Sequence, residues 1–333
     1  MRFVAILLGI AAVLGAGAAR AGCTLDAVAN LPVHIEDGRI FLSGSVNGHQ
    51  LDFLVNPAYR SVMLNAAKRD LEMSSYKLVR TVLGYEKPDP PFGIVNEGPD
   101  KVVIDQMTYV VKGSLPDFGV PGSVAMLGAD VLDRFDLEFD LADNLIILYR
   151  PSGCDGVQEG YWDRHAAAAE MVPGLGQGTN AEPLNAYNFP FVTLRAEVDG
   201  QPVRAIIDAG QRHSFLSLTT AHELGADRED MPEIDAMPDL FDGYSHRTWY
   251  RDFATVSLGG ETISPAWLRV RSFDSAPASK PRTGSLVRDS VLNEAGLVLG
   301  ADFLISHRVL FSFSQHKVYF TNSGIKPFLG KEI

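Results

Sequence analysis

The sequence predicts a mostly β protein made of two copies of one structural unit. Two observations carry that expectation. Short runs of Val, Ile, Leu, Phe and Tyr, such as FPFVTLRAEV, FATVSLGG and WLRVRSF, alternate with turns rich in Gly, Asn and Asp. That is the pattern of short strands. The chain also repeats itself. With Val46 set against Val198, no gap is needed through Leu64 and Leu216, so that Gly48 matches Gly200, Asn56 matches Asp208 and Arg60 matches Arg212. A second block, MLGADVLDRFDLEFD from Met126, returns as VLGADFLISHRVLFS from Val298 with Leu-Gly-Ala-Asp intact. The offsets are 152 and 172, so the second copy carries a net insertion of 20 residues between its blocks.

The elements follow in order. Residues 1–21 (MRFVAILLGIAAVLGAGAARA) join Arg2 to an apolar run and an Ala19-Arg20-Ala21 cleavage pattern, the layout of a secretory signal peptide. A retained membrane anchor is the other reading. The first unit covers 22–150. In it VNGHQ is a hairpin turn, LDFLV a buried strand, Asn56-Pro57-Ala58 the turn at the strand's end, and NAAKRDL a helical turn. Residues 151–187 are the linker, with a short helix expected at DRHAAAAEMV and a flexible connector at PGLGQGTNAEP. The second unit, 188–333, repeats the order: VDGQP, VRAII, Asp208-Ala209-Gly210, TTAHELG, Leu299 to Asp302, and a final hairpin.

Composition excludes several classes. The 46% hydrophobic content marks a globular chain. A net charge of −12, or −14 without the leader's two arginines, argues against a nucleic-acid partner. No Walker A, dinucleotide fingerprint or H-E-x-x-H occurs, so no cofactor and no metal are expected. His213, His222 and His246 are the histidines that could meet in space. Two cysteines are too few for a thiolate zinc site of the usual type. In an oxidising compartment Cys23 and Cys154 form one disulfide, two free thiols being the alternative.

The order of parts is more specific than any duplicated β unit. A strand, Asp-(small)-Gly, a Ser, an apolar strand and a distant apolar-Leu-Gly resemble the retropepsin-like aspartic peptidases over residues 30–150 and 188–322. The second copy supplies Asp208-Ala209-Gly210, Ser214, Ser217 and Val298-Leu299-Gly300; the first supplies Asn56-Pro57-Ala58, Ser61 and Met126-Leu127-Gly128. The resemblance implies two retropepsin- or pepsin-like β-barrel lobes forming an intrachain pseudo-dimer. It also implies two facing carboxylates that share one proton, one activating water and the other polarising the peptide carbonyl.

The chemistry departs from that pattern at the first apex. Asn56 replaces the acid and has no proton to trade near neutral pH. Pro57 and Ala209 lack the hydroxyl that braces the family's apex loops, and Ala58 stands where a glycine is usual. Asp208 is thus the candidate catalytic residue, with Asn56 its degenerate counterpart; a turn aspartate is the plainer reading of Asp208. Gly210, Ser214, Tyr85, Tyr244 and Trp249 are candidate substrate-binding residues. The last three lie on flap-like segments, 82–95 and 237–250. Asp130 and Asp302 are read as helix caps. No G-x-S-x-G occurs, which counts against pairing His213 and Ser214 with Asp208 as a serine hydrolase. The expected protein is an exported, periplasmic monomer, free of the membrane once its leader is removed. It acts on or binds an extended peptide between its lobes, with catalysis weak or lost. The alternative is a pseudo-peptidase that only binds.

Overall fold

The computed structural model describes residues 22–59, 61–64, 79–84, 101–107, 110–112, 125–172, 192–238, 245–273, 294–324 and 328–329. The fold is mostly β, two-lobed and barrel-like, as the sequence predicts. The described helices are single turns such as Ala129–Leu132, Leu218–Glu223 and Ala301–Ser306. None of them is long and apolar enough to cross a membrane.

Each half begins its core with the hairpin that its turn residues dictate. Arg39–Val46 pairs antiparallel with His49–Val55, and Val192–Val198 with Gln201–Ile207. Asn47 and Gly48 turn the first at φ 51° and 82°; Asp199 and Gly200 turn the second at φ 50° and 73°. Two successive positive φ values match the right-handed twist of the flanking strands, and Asn-Gly and Asp-Gly adopt them most cheaply. The outgoing strand then pairs in parallel with the strand before Leu-Gly-Ala-Asp. Val55 lies beside Leu127, and Ile207 beside Leu299. After the apex turn the chain returns on the far side of that strand, as Val62–Leu64 and Phe215–Ser217. Ala125–Leu127 and Gly296–Leu299 are therefore flanked on both edges and are wholly buried. This is why they read as continuous apolar runs without alternation.

One antiparallel contact joins the halves. Asp136–Asp140 pairs with His307–Ser312, with Phe139 opposite Val309, Glu138 opposite Leu310 and Leu137 opposite Phe311. Adding the repeat offset of 172 turns 138 into 310 and 139 into 311. The junction is thus isologous: each copy offers the same strand, and Glu138 and Leu310 lie on the pseudo-two-fold axis. Phe139 and Phe311, equivalent residues, meet edge to face at 5.6 Å. Leu145–Ser152 and Thr24–Glu36 extend this sheet on one side, Lys317–Asn322 and Ala167–Val172 on the other.

That last strand corrects an expectation. The alanine-rich stretch placed as a linker helix is extended: Ala167 pairs with Phe320, and Met171 with Leu194. Helix propensity is a weak preference that an open sheet edge overrides. Gly259 fits against this strand because it has no side chain: a Cβ there would lie 2.9 Å from the Ala168 backbone. The Cys23–Cys154 disulfide is present and ties the residue before strand Thr24–Glu36 to the stretch after Ser152.

Charge crosses the junction unequally. Arg308 Nε donates to Glu138 Oε1 at 2.6 Å, and its NH2 lies 2.9 Å from Asp140 Oδ2. At the equivalent contact Ser312 Oγ donates to Asp136 Oδ2 at 3.3 Å. Glu138 is fully buried. Burial pushes its carboxyl up, against the opposite pull of Arg308 and the hydroxyls of Tyr161 and Tyr149. A raised carboxyl contributes its stability at low pH and loses it as pH rises through the folded value. Arg308→Met, which leaves Glu138 and Asp140 without their cation, should therefore cost about 3 kcal/mol near neutral pH. The cost should shrink as pH falls toward ~4, as the raised Glu138 carboxyl takes up its proton in the folded state. Urea unfolding across that range measures both.

Candidate functional site

Two apex turns of one design face each other. In the first, Asn56 N donates to Leu127 O at 2.9 Å, Tyr59 N to Asn56 O at 3.4 Å, and Ala129 N to Tyr59 O at 2.6 Å. In the second, Asp208 N donates to Leu299 O at 2.9 Å, Gln211 N to Asp208 O at 3.0 Å, and Ala301 N to Gln211 O at 2.7 Å. Each side chain also folds onto the amide two residues on. Ala58 N donates to Asn56 Oδ1 and Gly210 N to Asp208 Oδ1, both at 3.0 Å. This is the turn that Asn and Asp close most readily. No positive φ occurs at Ala58 or Gly210, so alanine replaces the expected glycine without backbone strain.

A clamp beneath each turn holds it to the Leu-Gly-Ala-Asp segment. Ser61 donates to Asp130 Oδ1 through N at 2.7 Å and through Oγ at 2.9 Å, while Gly128 N donates to Ser61 Oγ at 2.9 Å. Ser214 donates to Asp302 through N at 2.8 Å and Oγ at 2.6 Å, while Gly300 N donates to Ser214 Oγ at 2.9 Å. Asp130 and Asp302 therefore do not occupy the N-cap position expected of them, although Asp302 Oδ1 also accepts from the first-turn amide of Phe303 at 2.9 Å. Gly128 and Gly300 stand at the cap positions, and the two acids reach across to the serine. Burial raises the Asp302 carboxyl, with the Ser214 hydrogen bonds opposing. Ser61 matches Ser214 and Val62 matches Phe215 across the clamp, an offset of 153, so the ungapped alignment slips by one here. His213 is the extra residue. The backbone of Gln211 and His213 passes so close to Gly300 that a Cβ there would lie 2.7 Å from His213 C.

The two turns meet through their leading side chains. Asn56 Nδ2 donates to Asp208 Oδ1 at 2.9 Å, and both residues are fully buried. Because Asn56 Oδ1 already accepts from Ala58 N, the amide's orientation is decided: NH2 faces the carboxylate. Tyr59 OH donates to the second oxygen, Asp208 Oδ2, at 3.3 Å. Both carboxylate oxygens thus carry donors. Two facing acids can hold one proton between them; an amide facing an acid holds none to pass on. A water approaching Asp208 Oδ2 as a general-base partner would also have to displace the tyrosine hydroxyl.

The other candidates separate from this pair. Gly210 N and Ser214 are engaged in the turn and its clamp, which leaves them as supports and not substrate contacts. Trp249 is only 2% exposed and packs in the core under the Arg247 guanidinium, 5.1 Å from its ring, so it does not line a cleft. Tyr85 and Tyr244 lie outside the described residues, as do the tips of both flap-like segments. Their bases are antiparallel pairs, Val79–Gly84 with Lys101–Met107 and Glu233–Pro238 with Ser245–Phe253. Among the described residues, His213, His222 and His246 form no metal-ligating group; the one such cluster is Cys23, Cys154 and Glu159. Sequence reasoning missed Tyr59, since a tyrosine after a turn carries no signature of its own.

No protein-family model matches the chain, and no curated protein does. Solved structures resemble it at a distance. EDGP has a TM-score of 0.48 at 8% identity, over 88% of this chain and 94% of its own. Basic 7S globulin from soybean has a TM-score of 0.44 at 12% identity, over 91% and 98%. A retropepsin-like aspartic protease from Rickettsia conorii has a TM-score of 0.23 at 13% identity, over 33% and 67%.

Removing the clamp should loosen the turn it carries. Ser214→Ala strands the Gly300 amide and removes one of the two donors to Asp302 Oδ1, for an expected loss of about 1–3 kcal/mol. Gly300→Ala forces backbone apart and should cost about 3 kcal/mol or more. Denaturant unfolding of the two variants measures the order.

Proposed function

We propose that this protein is an aspartic-peptidase-like protein that holds an extended polypeptide segment between its lobes without hydrolysing it. The observation that carries the reading is the buried Asn56–Asp208 hydrogen bond with Tyr59 on the second carboxylate oxygen. That arrangement turns a proton-sharing dyad into a fixed hydrogen-bonded link between the lobes. The turns, serine clamps and supporting strands are kept in both halves, so the scaffold is maintained where the second acid is not. Strand-edge hydrogen bonds and alternate side-chain pockets are the means by which such a cleft would hold an extended chain. The leader-like residues 1–21 and the Cys23–Cys154 bridge support an exported protein, in a periplasm-like compartment.

A second reading, a one-carboxylate endopeptidase, is favoured by one feature. Asp208 keeps both its acid and the Gly210 amide of an intact turn.

The two readings part in one experiment. The purified protein is mixed with a library of unstructured peptides from about pH 3 to about pH 8, with Asp208→Ala in parallel and circular dichroism confirming that each is folded. Peptides retained on the protein and recovered intact are the expected result. Cleavage that disappears in Asp208→Ala would establish the endopeptidase instead, and peptides neither retained nor cut would remove both.

A further inference from the structure

Away from the apex pair, one buried acid has no structural explanation. Glu159 is fully buried, and neither of its carboxylate oxygens makes a hydrogen bond. Burial raises its carboxyl on balance; Ser312 and Gln315 lie close enough to draw it down and Asp136 close enough to push it up, yet none of them reaches either oxygen in ordinary hydrogen-bond geometry. The Asp136 carboxylate is itself occupied by Ser312 and Ser314. Leaving a carboxyl in the interior without a well-formed hydrogen bond is costly, and native structures rarely do so without a purpose. What Glu159 does have beside it is sulfur. One carboxylate oxygen and the Sγ atoms of Cys23 and Cys154 all lie within 4.8 Å of one another.

A disulfide offers such a carboxylate nothing, since it has neither a proton to donate nor a charge to pair. A reduced pair offers two thiolates. Two thiolates and a carboxylate are a recognised donor set for a borderline-soft divalent cation, and three protein ligands leave a fourth position for water. We propose that Cys23, Cys154 and Glu159 form a redox-gated site for zinc or a zinc-like cation, closed while the cysteines are bridged and opened by reduction.

The steps balance. A thiol–disulfide oxidoreductase supplies two electrons and two protons, breaking the sulfur–sulfur bond to give two thiols while its own dithiol becomes a disulfide. The cation then displaces both thiol protons and binds the thiolates together with the Glu159 carboxylate. Zinc–sulfur bonds of about 2.3 Å in tetrahedral geometry would hold the sulfurs roughly 3.8 Å apart, so the strands need open only slightly. Cys23 is partly exposed while Cys154 is buried, so an attacking thiolate would reach Cys23 first.

The test uses the purified protein, oxidised or reduced anaerobically with a phosphine that is then removed. Zinc is titrated in competition with a chromophoric chelator, and cobalt(II) is added separately as a spectroscopic reporter. Reduced protein should take up one equivalent of zinc and show a thiolate-to-cobalt charge-transfer band; oxidised protein should do neither. Glu159→Gln, which retains both thiols, should bind about 10-fold or more weakly. No uptake by reduced protein, equal uptake by oxidised protein, or unchanged affinity in Glu159→Gln would each overturn the proposal. So would a reduced chain that loses its native circular-dichroism spectrum and does not regain it with zinc.

Discussion

The antiparallel contact between Asp136–Asp140 and His307–Ser312 is the constraint on which the rest of this molecule depends. Because each copy of the unit contributes the same strand, the contact imposes a two-fold relation on everything attached to it. The Leu-Gly-Ala-Asp segments lead directly into these strands, and the apex turns are fastened to those segments. Asn56 and Asp208, 152 residues apart, therefore arrive face to face as a consequence of symmetry. Flanking strands widen the shared sheet on both sides, and the fully buried Phe139 and Phe311 fill its centre.

Symmetry places the two side chains, but their chemistry is no longer symmetric. The amide donates and the carboxylate accepts, so the pair needs no shared proton. Tyr59 adds a second fixed donor where its equivalent, Gln211, turns away to accept from Arg271 at 2.8 Å. Direct contact between Asn56 and Asp208 also supplies what Pro57 and Ala209 cannot, a hydrogen bond linking the turns. The first apex is changed at three successive residues, yet among the described residues three of its backbone bonds repeat those of the second. The amide–carboxylate pair thus gives the two loops cohesion without a shared proton.

Much of this was legible in the residues. Asn-Gly and Asp-Gly marked hairpins because few other dipeptides take two positive φ values. The repeated Leu-Gly-Ala-Asp marked the supporting segment because a glycine, buried apolar residues and an acid are each required there. The Asp130 and Asp302 roles were misread because an acid beside a helix start looks like a cap, while its partner, a serine 69 or 88 residues earlier, is set by the fold. The alanine-rich strand Ala167–Val172 was misread for the same reason: its conformation comes from a neighbouring edge and not from its own preferences. The inserted His213 escaped notice because a one-residue slip still laid apolar residues on apolar residues. Tyr59 meets Asp208, and Glu159 meets Cys23, only because the fold brings distant segments together.

The uneven charges at the junction decide which halves can pair. In a self-pairing of the first half alone, the two-fold would set Asp136 against Asp140 twice over. In a self-pairing of the second, each Arg308 would face Ser312 and find no acid. Only the mixed pairing gives Arg308 its carboxylates. A unit whose architecture is that of a homodimer has thus acquired a sense of partner. Cut between the copies, the two fragments should prefer each other to themselves, because the backbone would allow either self-pairing but the charges favour only the mixed one.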